Sequence, residues 1–245
     1  MINQSQSQTI AIVDYGGTGN LFSVKHACEN VGLTAIITSK RETILSADAV
    51  ILPGVGAFGD AMRSLTRLDL IHPLKELAAS ATPLIGICLG FQLLMEESSE
   101  FGIHQGLGIV TGSVLPFEKS NSRFKVPHVG WNRIHKTEGA ENRWSVSPLS
   151  GVRSDEYLYF VHSYYVAPTD TSFVSTTSRY ADTEFCSSIQ FGNVFACQFH
   201  PERSGIRGLQ IYRNLAASLA NPSDKKCCLN VEVIDKPIPV RTPHD

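Results

Sequence analysis

Residues 83–92 read PLIGICLGFQ, and this stretch decides which fold the chain can adopt. The apolar run that ends at Ile87 predicts a buried strand, and the residues after Cys88 predict a helix that begins at once. So tight a turn needs unusual backbone angles at its apex, and Gly86 and Gly90 leave room where Cβ atoms would clash. The stretch therefore predicts a nucleophile elbow with a cysteine in place of the usual serine.

Cys88 taken alone has two interpretations. The N-terminus of the following helix would point N–H groups and the positive end of the helix dipole at the sulfur, which favours a thiolate. A small cysteine buried in a core strand is the more ordinary role of a free cysteine. The Gly-x-Cys-x-Gly pattern does not decide between a nucleophile and a core residue without its context.

A second segment, residues 195–204 (FACQFHPERS), offers the base that a thiolate nucleophile needs. An apolar strand ends at His200, Pro201 constrains the turn, and Glu202 can fold back to hold the imidazole in one tautomer. A histidine at a strand end is more often structural, but its combination with an elbow cysteine favours a Cys-His-Glu triad. Its order differs from that of the α/β-hydrolases, where the acid precedes the histidine.

Such a site also requires an oxyanion hole. Leu89 would supply one backbone N–H from the elbow. The second donor must come from a neighbouring turn between a strand and a helix, and residues 52–58 (LPGVGAF) are its natural source. The glycines of this loop allow its peptide groups to turn.

Strands alternate with helical patterns through the first half of the chain, which favours a mostly parallel sheet with helices on both faces. We predict strands at 9–13, 35–38, 49–52 and 83–87, and helices at 21–31, 57–68, 73–81 and 89–98. In the second half the periods shorten, which favours antiparallel strands beside the first sheet. We predict these strands at 126–134, 157–166, 185–190 and 194–198, followed by a helix at 209–219.

The composition excludes several classes of protein. The chain has 245 residues, 42% of them hydrophobic, and a formal net charge of −2, so neither disorder nor a nucleic-acid partner is indicated. No apolar run approaches the roughly 20 residues of a membrane helix, and the polar N-terminus predicts no secretory signal. Six cysteines are too few for a disulfide scaffold. We expect a soluble, cytoplasmic protein with one domain over residues 1–220 and a proline-rich tail over 221–245.

Taken together, the motifs resemble the class I (triad) glutamine amidotransferases. The segments that carry this resemblance are PGVG at 53–56, GICLGFQ at 86–92 and QFHPE at 198–202. Others narrow it to the glutaminase subunits of imidazole glycerol phosphate synthases: DYG at 14–16, GNL at 19–21, KVPHVGWN at 125–132, FVHSY at 160–164 and residues 205–209. The resemblance covers roughly residues 9–219 and implies a flavodoxin-like three-layer sandwich.

The resemblance implies hydrolysis of L-glutamine to glutamate and ammonia, without a metal or a cofactor. Cys88 would attack the side-chain amide to form a glutamyl thioester, His200 would protonate the ammonia and then activate water, and Glu202 would orient His200. The backbone of Val55 and Leu89 would form the oxyanion hole. The remaining substrate contacts implied are Gly54, Gln92, Ser163 and Tyr164.

The resemblance also implies a partner, because ammonia released into water would protonate and escape. In this family a separate (β/α)₈-barrel cyclase receives the ammonia and makes imidazole glycerol phosphate and AICAR in histidine biosynthesis. A barrel needs about 250 residues of its own. The residues implied to face this cyclase are Asn20, Trp131, Asn132 and Arg203.

Three alternatives stay open. The chain could be a paralogous glutaminase subunit for amidination of a nucleotide sugar in surface polysaccharide synthesis, a degenerate scaffold, or a free-standing γ-glutamyl hydrolase. Two departures from the family pattern concern the partner: the turn at 16–20 holds one extra residue, and Arg203 stands where the family often has lysine. The adjacent cysteines Cys227 and Cys228 in the tail are interpreted as incidental.

Overall fold

The computed structural model describes residues 8–16, 20–117 and 124–220. Its helices are α1 Leu21–Asn30, α2 Arg41–Leu45, α3 Phe58–Arg67, α4 Ile71–Ala78, α5 Leu89–Leu93, α6 Glu141–Val146 and α7 Gly205–Ala220, with a 3₁₀ turn at Pro201–Arg203. Its strands are β1 Thr9–Val13, β2 Thr34–Thr38, β3 Ala49–Leu52, β4 Leu84–Ile87, β5 Met95–Ser98, β6 His104–Gln105, β7 Val110–Pro116, β8 His128–Arg133, β9 His135–Lys136, β10 Tyr157–His162, β11 Tyr164–Pro168, β12 Val174–Tyr180, β13 Thr183–Phe191 and β14 Val194–Cys197. The predicted tail with its two cysteines, and residues 17–19 of the predicted five-residue turn, lie outside the described residues.

Within the described residues the main sheet has twelve strands, and its parallel part runs in the order β2-β1-β3-β4-β14. Every residue of β3, β4 and β14 is buried, as expected for strands covered on both faces. Antiparallel strands β13 and β11 continue the sheet past β14, while β8 and β10 form a separate two-stranded ribbon. The prediction of a parallel sheet with an antiparallel second half is confirmed.

Two apolar clusters cover opposite faces of this sheet and make three layers. Alternate residues of β1 show the arrangement: Ala11 and Val13 belong to one cluster, and Ile10 and Ile12 belong to the other. The first cluster includes Phe58, Leu65, Leu74 and Phe91 from α3, α4 and α5. The second includes Val24, Ala27, Ile211 and Leu215 from α1 and α7. The elbow residue after β4 therefore lies at the carboxyl end of a central strand, where α/β folds place their ligands.

The predicted helix at 89–98 is wrong beyond Leu93. The chain turns there, and Met95–Ser98 forms strand β5, which pairs in parallel with β7. The segment LLMEES contains strong helix formers, so its local preference favours a helix. Pairing with a strand distant in the sequence overrides this preference.

The predicted strand at 157–166 is interrupted at Ser163. Residues before the interruption pair with β8 in the ribbon, and residues after it pair with β7 and β13 in the main sheet. The chain thus passes from one sheet to the other at this residue, which a run of strand-forming residues cannot reveal. The sequence reasoning also missed α2, β6, β7, β9, β12 and α6.

Candidate active site

Cys88 lies between β4 and α5 with φ of 54° and ψ of −108°, backbone angles that a residue with a Cβ rarely adopts. The surrounding glycines are required by close backbone contacts. A Cβ on Gly90 would overlap the carbonyl oxygen of Leu52, and one on Gly86 would lie 3.1 Å from the backbone nitrogen of Phe91. The structure therefore has the strained elbow that the sequence predicts.

His200 and Glu202 form a buried pair beside this elbow. The imidazole Nδ1 donates a hydrogen bond to Glu202 Oε1 at 2.7 Å, and both side chains are almost wholly shielded from solvent. Asn20 Nδ2 donates to the same oxygen at 2.8 Å. These two bonds orient the Glu202 carboxylate and the His200 ring, and they leave Nε2 of His200 on the side away from the carboxylate.

The charge state of His200 is set by its neighbours. Burial opposes the charged imidazolium, but Cys88 and Glu202 outweigh it and raise the pKa of His200 from its ordinary 6.5 to about 10. Nε2 is buried and, among the described residues, has no partner in hydrogen-bond geometry. The arrangement suits an imidazole that stores a proton next to a sulfur and transfers it to a third molecule.

Two glutamines connect the sulfur to the opposite wall of the site. Gln92 on α5 donates from Nε2 to the carbonyl oxygen of Tyr164 at 3.0 Å and to Oε1 of Gln198 at 3.1 Å. Gln198 in turn donates from Nε2 to Cys88 Sγ at 3.5 Å. Sequence reasoning singled out Gln92 and Tyr164 but missed Gln198. The available signal was its position two residues before His200 on an extended segment, which places both side chains on one side.

Ser163 lies half-buried next to Tyr164, at the passage between the two sheets, and its carbonyl oxygen accepts a hydrogen bond from the backbone N–H of Phe117 at 3.2 Å. Tyr164 is half-buried as well. The structure thus brings both predicted substrate contacts to the same wall as Gln92.

The loop at 53–56 adjoins the elbow, as the sequence predicts. Gly54 is buried against two neighbours: a Cβ there would overlap the hydroxyl of Tyr15 and lie 3.4 Å from Cβ of Leu89. The same hydroxyl donates to the carbonyl oxygen of Pro53 at 2.9 Å, which anchors the start of the loop. Burial, followed by the charges of Cys88 and Asp14, raises the pKa of Tyr15 above its usual value, so its hydroxyl stays a donor. Val55 follows, half-buried.

Comparison with known proteins identifies the family. A model of the class-I glutamine amidotransferases matches residues 11–217. Imidazole glycerol phosphate synthase subunit HisH of Rhodopirellula baltica is 46% identical over 210 residues, which cover 85% of this chain and 97% of the relative. The same subunit of Syntrophotalea carbinolica is 45% identical over 210 residues, which cover 84% of this chain and 98% of the relative. The chain belongs to the HisH family of class I glutamine amidotransferases.

Solved structures support the fold of this HisH family member. PurLQS from Thermotoga maritima matches with a TM-score of 0.66 at 19% identity, covering 87% of this chain and 99% of that chain. The glutaminase domain of Trypanosoma brucei CTPS matches with a TM-score of 0.62 at 16% identity, and the match covers 88% of this chain and 94% of that chain. At such low identity the likeness concerns the fold alone, and it confirms the predicted amidotransferase architecture.

Behind the Tyr164 wall, the chain contains a buried pair of histidines. His162 Nδ1 donates to the carbonyl oxygen of Tyr164 at 2.8 Å, so its Nε2 must accept, and it does so from His128 Nδ1 at 2.9 Å. Asn132 Nδ2 lies 3.5 Å from His128 Nε2 and donates to the carbonyl oxygen of Arg179 at 2.9 Å. The side chain of Asn132, predicted to face a partner, is thus used within the chain as well.

Two other residues predicted at the interface, Trp131 and Arg203, form a surface beside the His200–Glu202 pair. Trp131 is 55% exposed on β8 and meets the ring of Tyr159 edge-on at 6.1 Å between centroids. Arg203, also exposed, lies over the Tyr159 ring, 5.1 Å from its centroid. The carbonyl oxygen of Tyr159 accepts the backbone N–H of His200 at 2.8 Å. A molecule bound to this surface would therefore contact Tyr159, the residue whose backbone holds His200.

No group of three or more His, Cys, Asp or Glu side chains in residues 8–16, 20–117 and 124–220 is placed to hold a metal ion. In the same residues, none of the helices has the length and apolar character to span a bilayer.

Proposed function

We propose that this chain is the glutaminase subunit of an imidazole glycerol phosphate synthase, with Cys88, His200 and Glu202 as its catalytic triad. The observation that carries this proposal is the strained elbow cysteine beside a buried His–Glu pair. The neighbouring Cys88 and Glu202 also raise the pKa of His200. The family supports the reaction, which is hydrolysis of L-glutamine to glutamate and ammonia.

In the proposed reaction the Cys88 sulfur attacks the side-chain amide carbon of glutamine and forms a C–S bond. The negative charge that develops on the amide oxygen is accepted by the N–H groups of Leu89 and Val55. His200 donates its proton to the leaving nitrogen, and ammonia departs as the C–N bond breaks. The imidazole then takes a proton from water, which attacks the thioester, and returns that proton to the sulfur as glutamate leaves.

The substrate would lie between the elbow and the Tyr164 wall. Gln92, Ser163 and Tyr164 are the proposed contacts for the polar groups of glutamine, and Gly54 is a further proposed contact within the oxyanion loop. The adjacency of Gly54 to Leu89 and of Gln92 to Tyr164 supports this placement.

We propose that the ammonia passes to a separate cyclase chain, and that Asn20, Trp131, Asn132 and Arg203 lie at that interface. The exposed Trp131 next to the triad supports this, since tryptophan is a frequent anchor of interfaces. The HisH names of the relatives favour the histidine pathway over amidination of a nucleotide sugar. In this proposal residues 1–220 form the amidotransferase domain and the tail at 221–245 is dispensable.

Replacing the nucleophile tests the proposal. In complex with the cyclase, Cys88→Ala should release no glutamate from glutamine, while synthesis driven by added ammonium salt should continue at the wild-type rate. Cys186→Ala is the matched control, because Cys186 is also a buried free cysteine but lies on β13, which β14 separates from β4 in the sheet. Glutamate release by Cys88→Ala at the wild-type rate would remove Cys88 from the mechanism.

A further inference from the structure

Gln198 is a wholly buried polar residue that follows β14 and precedes the triad histidine by two positions. Its backbone N–H donates to the carbonyl oxygen of Ser187 at 2.9 Å, so the extended pairing of β14 with β13 continues through it. On an extended segment alternate side chains share a face, so Gln198 and His200 point the same way while the buried Phe199 points into the core. Two polar side chains therefore approach Cys88 from one strand.

The hydrogen bonds of the site determine which end of the Gln198 amide faces the sulfur. The backbone carbonyl of Tyr164 can only accept, so the group of Gln92 beside it is the NH₂. This NH₂ also points at the side chain of Gln198, which must present its oxygen there. The NH₂ group of Gln198 therefore faces Cys88 Sγ. The reverse orientation would place two donors against each other.

We propose that Gln198 is a positioning residue of the glutaminase site, which donates a hydrogen bond to the Cys88 thiolate and holds the amide of Gln92. The inference rests on the proposed role of Cys88 as nucleophile. A hydrogen bond donated to the charged form of a group favours that form, so Gln198 increases the fraction of thiolate. Gln198 also accepts the second amide hydrogen of Gln92. The Oε1 atom of Gln92 then stays able to accept a hydrogen bond from an N–H group of a ligand.

Tyr15, Cys197 and His200 interact electrostatically with Cys88, and Glu202 is a fourth titratable group of the site through its hydrogen bond to His200. Gln198 differs from all of them because it is a donor that carries no charge at any pH. Replacing it with a side chain of similar volume and no donor leaves these four groups in place. A change in thiolate fraction would then report the lost hydrogen bond.

The test is the pH dependence of alkylation of Cys88 by iodoacetamide, followed on the Cys88 peptide by mass spectrometry in the full chain. For Gln198→Met we expect the midpoint of this profile to move up by about one pH unit, the scale of one hydrogen bond to an ion. With the cyclase bound, we expect kcat for glutamine to fall by roughly tenfold and KM to rise, because Gln92 loses its support.

Gln190→Met is the matched control. Gln190 is also buried, and its Nε2 donates to the carbonyl oxygen of Gly192 at 2.9 Å, remote from the sulfur. We expect this variant to keep the wild-type alkylation midpoint, whatever its thermal stability. A purely structural role for Gln198 would lower thermal stability without moving the midpoint, and that result would overturn the proposal.

If Gln198→Met does not fold, Gln198→Glu keeps the volume and the acceptor for Gln92 but places a carboxylate beside the sulfur. Its midpoint should also rise, and an unchanged midpoint in this folded variant would again overturn the proposal. The alkylation profile needs no turnover of glutamine. An unchanged alkylation midpoint would therefore contradict only the role of Gln198. The proposed glutaminase function would be contradicted by a different result, glutamate release by Cys88→Ala.

Discussion

At the scale of single residues, Glu202 is held through one of its two oxygens. Oε1 accepts from both His200 and Asn20, whereas Oε2 is buried without a hydrogen-bond partner in the described part of the chain. An amide in place of the carboxylate could keep its oxygen at the Oε1 position and both bonds with it. A substitution here can therefore separate the charge of Glu202 from its geometry.

Glu202→Gln should lower kcat for glutamine by about 10²–10⁴-fold, the usual range for loss of acid–base function. The charge of Glu202 helps to raise the pKa of His200 to about 10, so its removal lowers that pKa. The imidazolium then loses its proton at lower pH, and the alkaline limb of kcat/KM should move to lower pH. A pH series of steady-state rates measures both effects. Glu156→Gln, which alters a buried carboxylate paired with Arg207, is the control and should keep the wild-type limb.

At the scale of elements, the two-stranded ribbon brings a pair of histidines together. His128 on β8 and His162 on β10 are directly opposed in antiparallel register. The ring of His128 stacks on Tyr180 at 4.0 Å and on Phe160 at 5.3 Å, between centroids. Burial lowers the pKa of His128 to about 4 and, more strongly, that of His162 to about 3. Both histidines are therefore neutral in the folded protein at neutral pH.

This pair should make the fold sensitive to acid. Below pH 6.5 these two histidines bind protons in the unfolded chain, whereas in the folded chain they stay unprotonated down to about pH 4. The free energy of unfolding therefore falls as the pH falls through this window. Each unit of pKa difference corresponds to about 1.4 kcal/mol. Urea unfolding between pH 6.5 and 5 measures the slope, and His128→Gln should make it shallower. His72→Gln, at an exposed position on α4, should leave it unchanged; equal slopes for all three proteins would contradict the assignment.

At the scale of the whole molecule, the candidate active site and the candidate interface share one wall. β10 carries Tyr159, whose ring contacts both Trp131 and Arg203 and whose backbone carbonyl accepts the N–H of His200. Arg203 directly follows Glu202 in the sequence. A partner that binds this surface would therefore change the packing next to the triad.

Titration calorimetry against the cyclase should find binding weakened most by Trp131→Ala. Loss of such an anchor costs on the order of 2 kcal/mol or more, which is about 30-fold in affinity. Arg203→Ala should weaken binding and also lower the rate of the bound glutaminase. Phe101→Ala removes an aromatic that is 85% exposed between β5 and β6 and should have no effect.

The tail provides a second comparison in the same experiment. A chain that ends at Ala220 should bind the cyclase as the full chain does, because the tail lies outside the family match that ends at residue 217. If truncation weakens binding tenfold while Trp131→Ala has no effect, the interface has been misplaced and the tail becomes the contact.

Features that depend on short stretches were predictable from the sequence alone. The elbow follows from residues 83–92, because a strand that turns directly into a helix requires glycines on both sides of its apex. The pairing of His200 with Glu202 spans two residues and depends on one turn. The apolar strands of the first half are continuous and predict the parallel core.

Only the tertiary structure decided which distant groups meet. Gln198 reaches the sulfur, Asn20 reaches Glu202, and His128 opposes His162 because of strand order and register, which no local pattern specifies. The same cause made β5 a strand: its residues favour a helix locally, but pairing with β7 satisfies its backbone groups in the sheet. Local sterics act between neighbours in the chain, whereas these contacts form only when segments far apart in sequence are packed together.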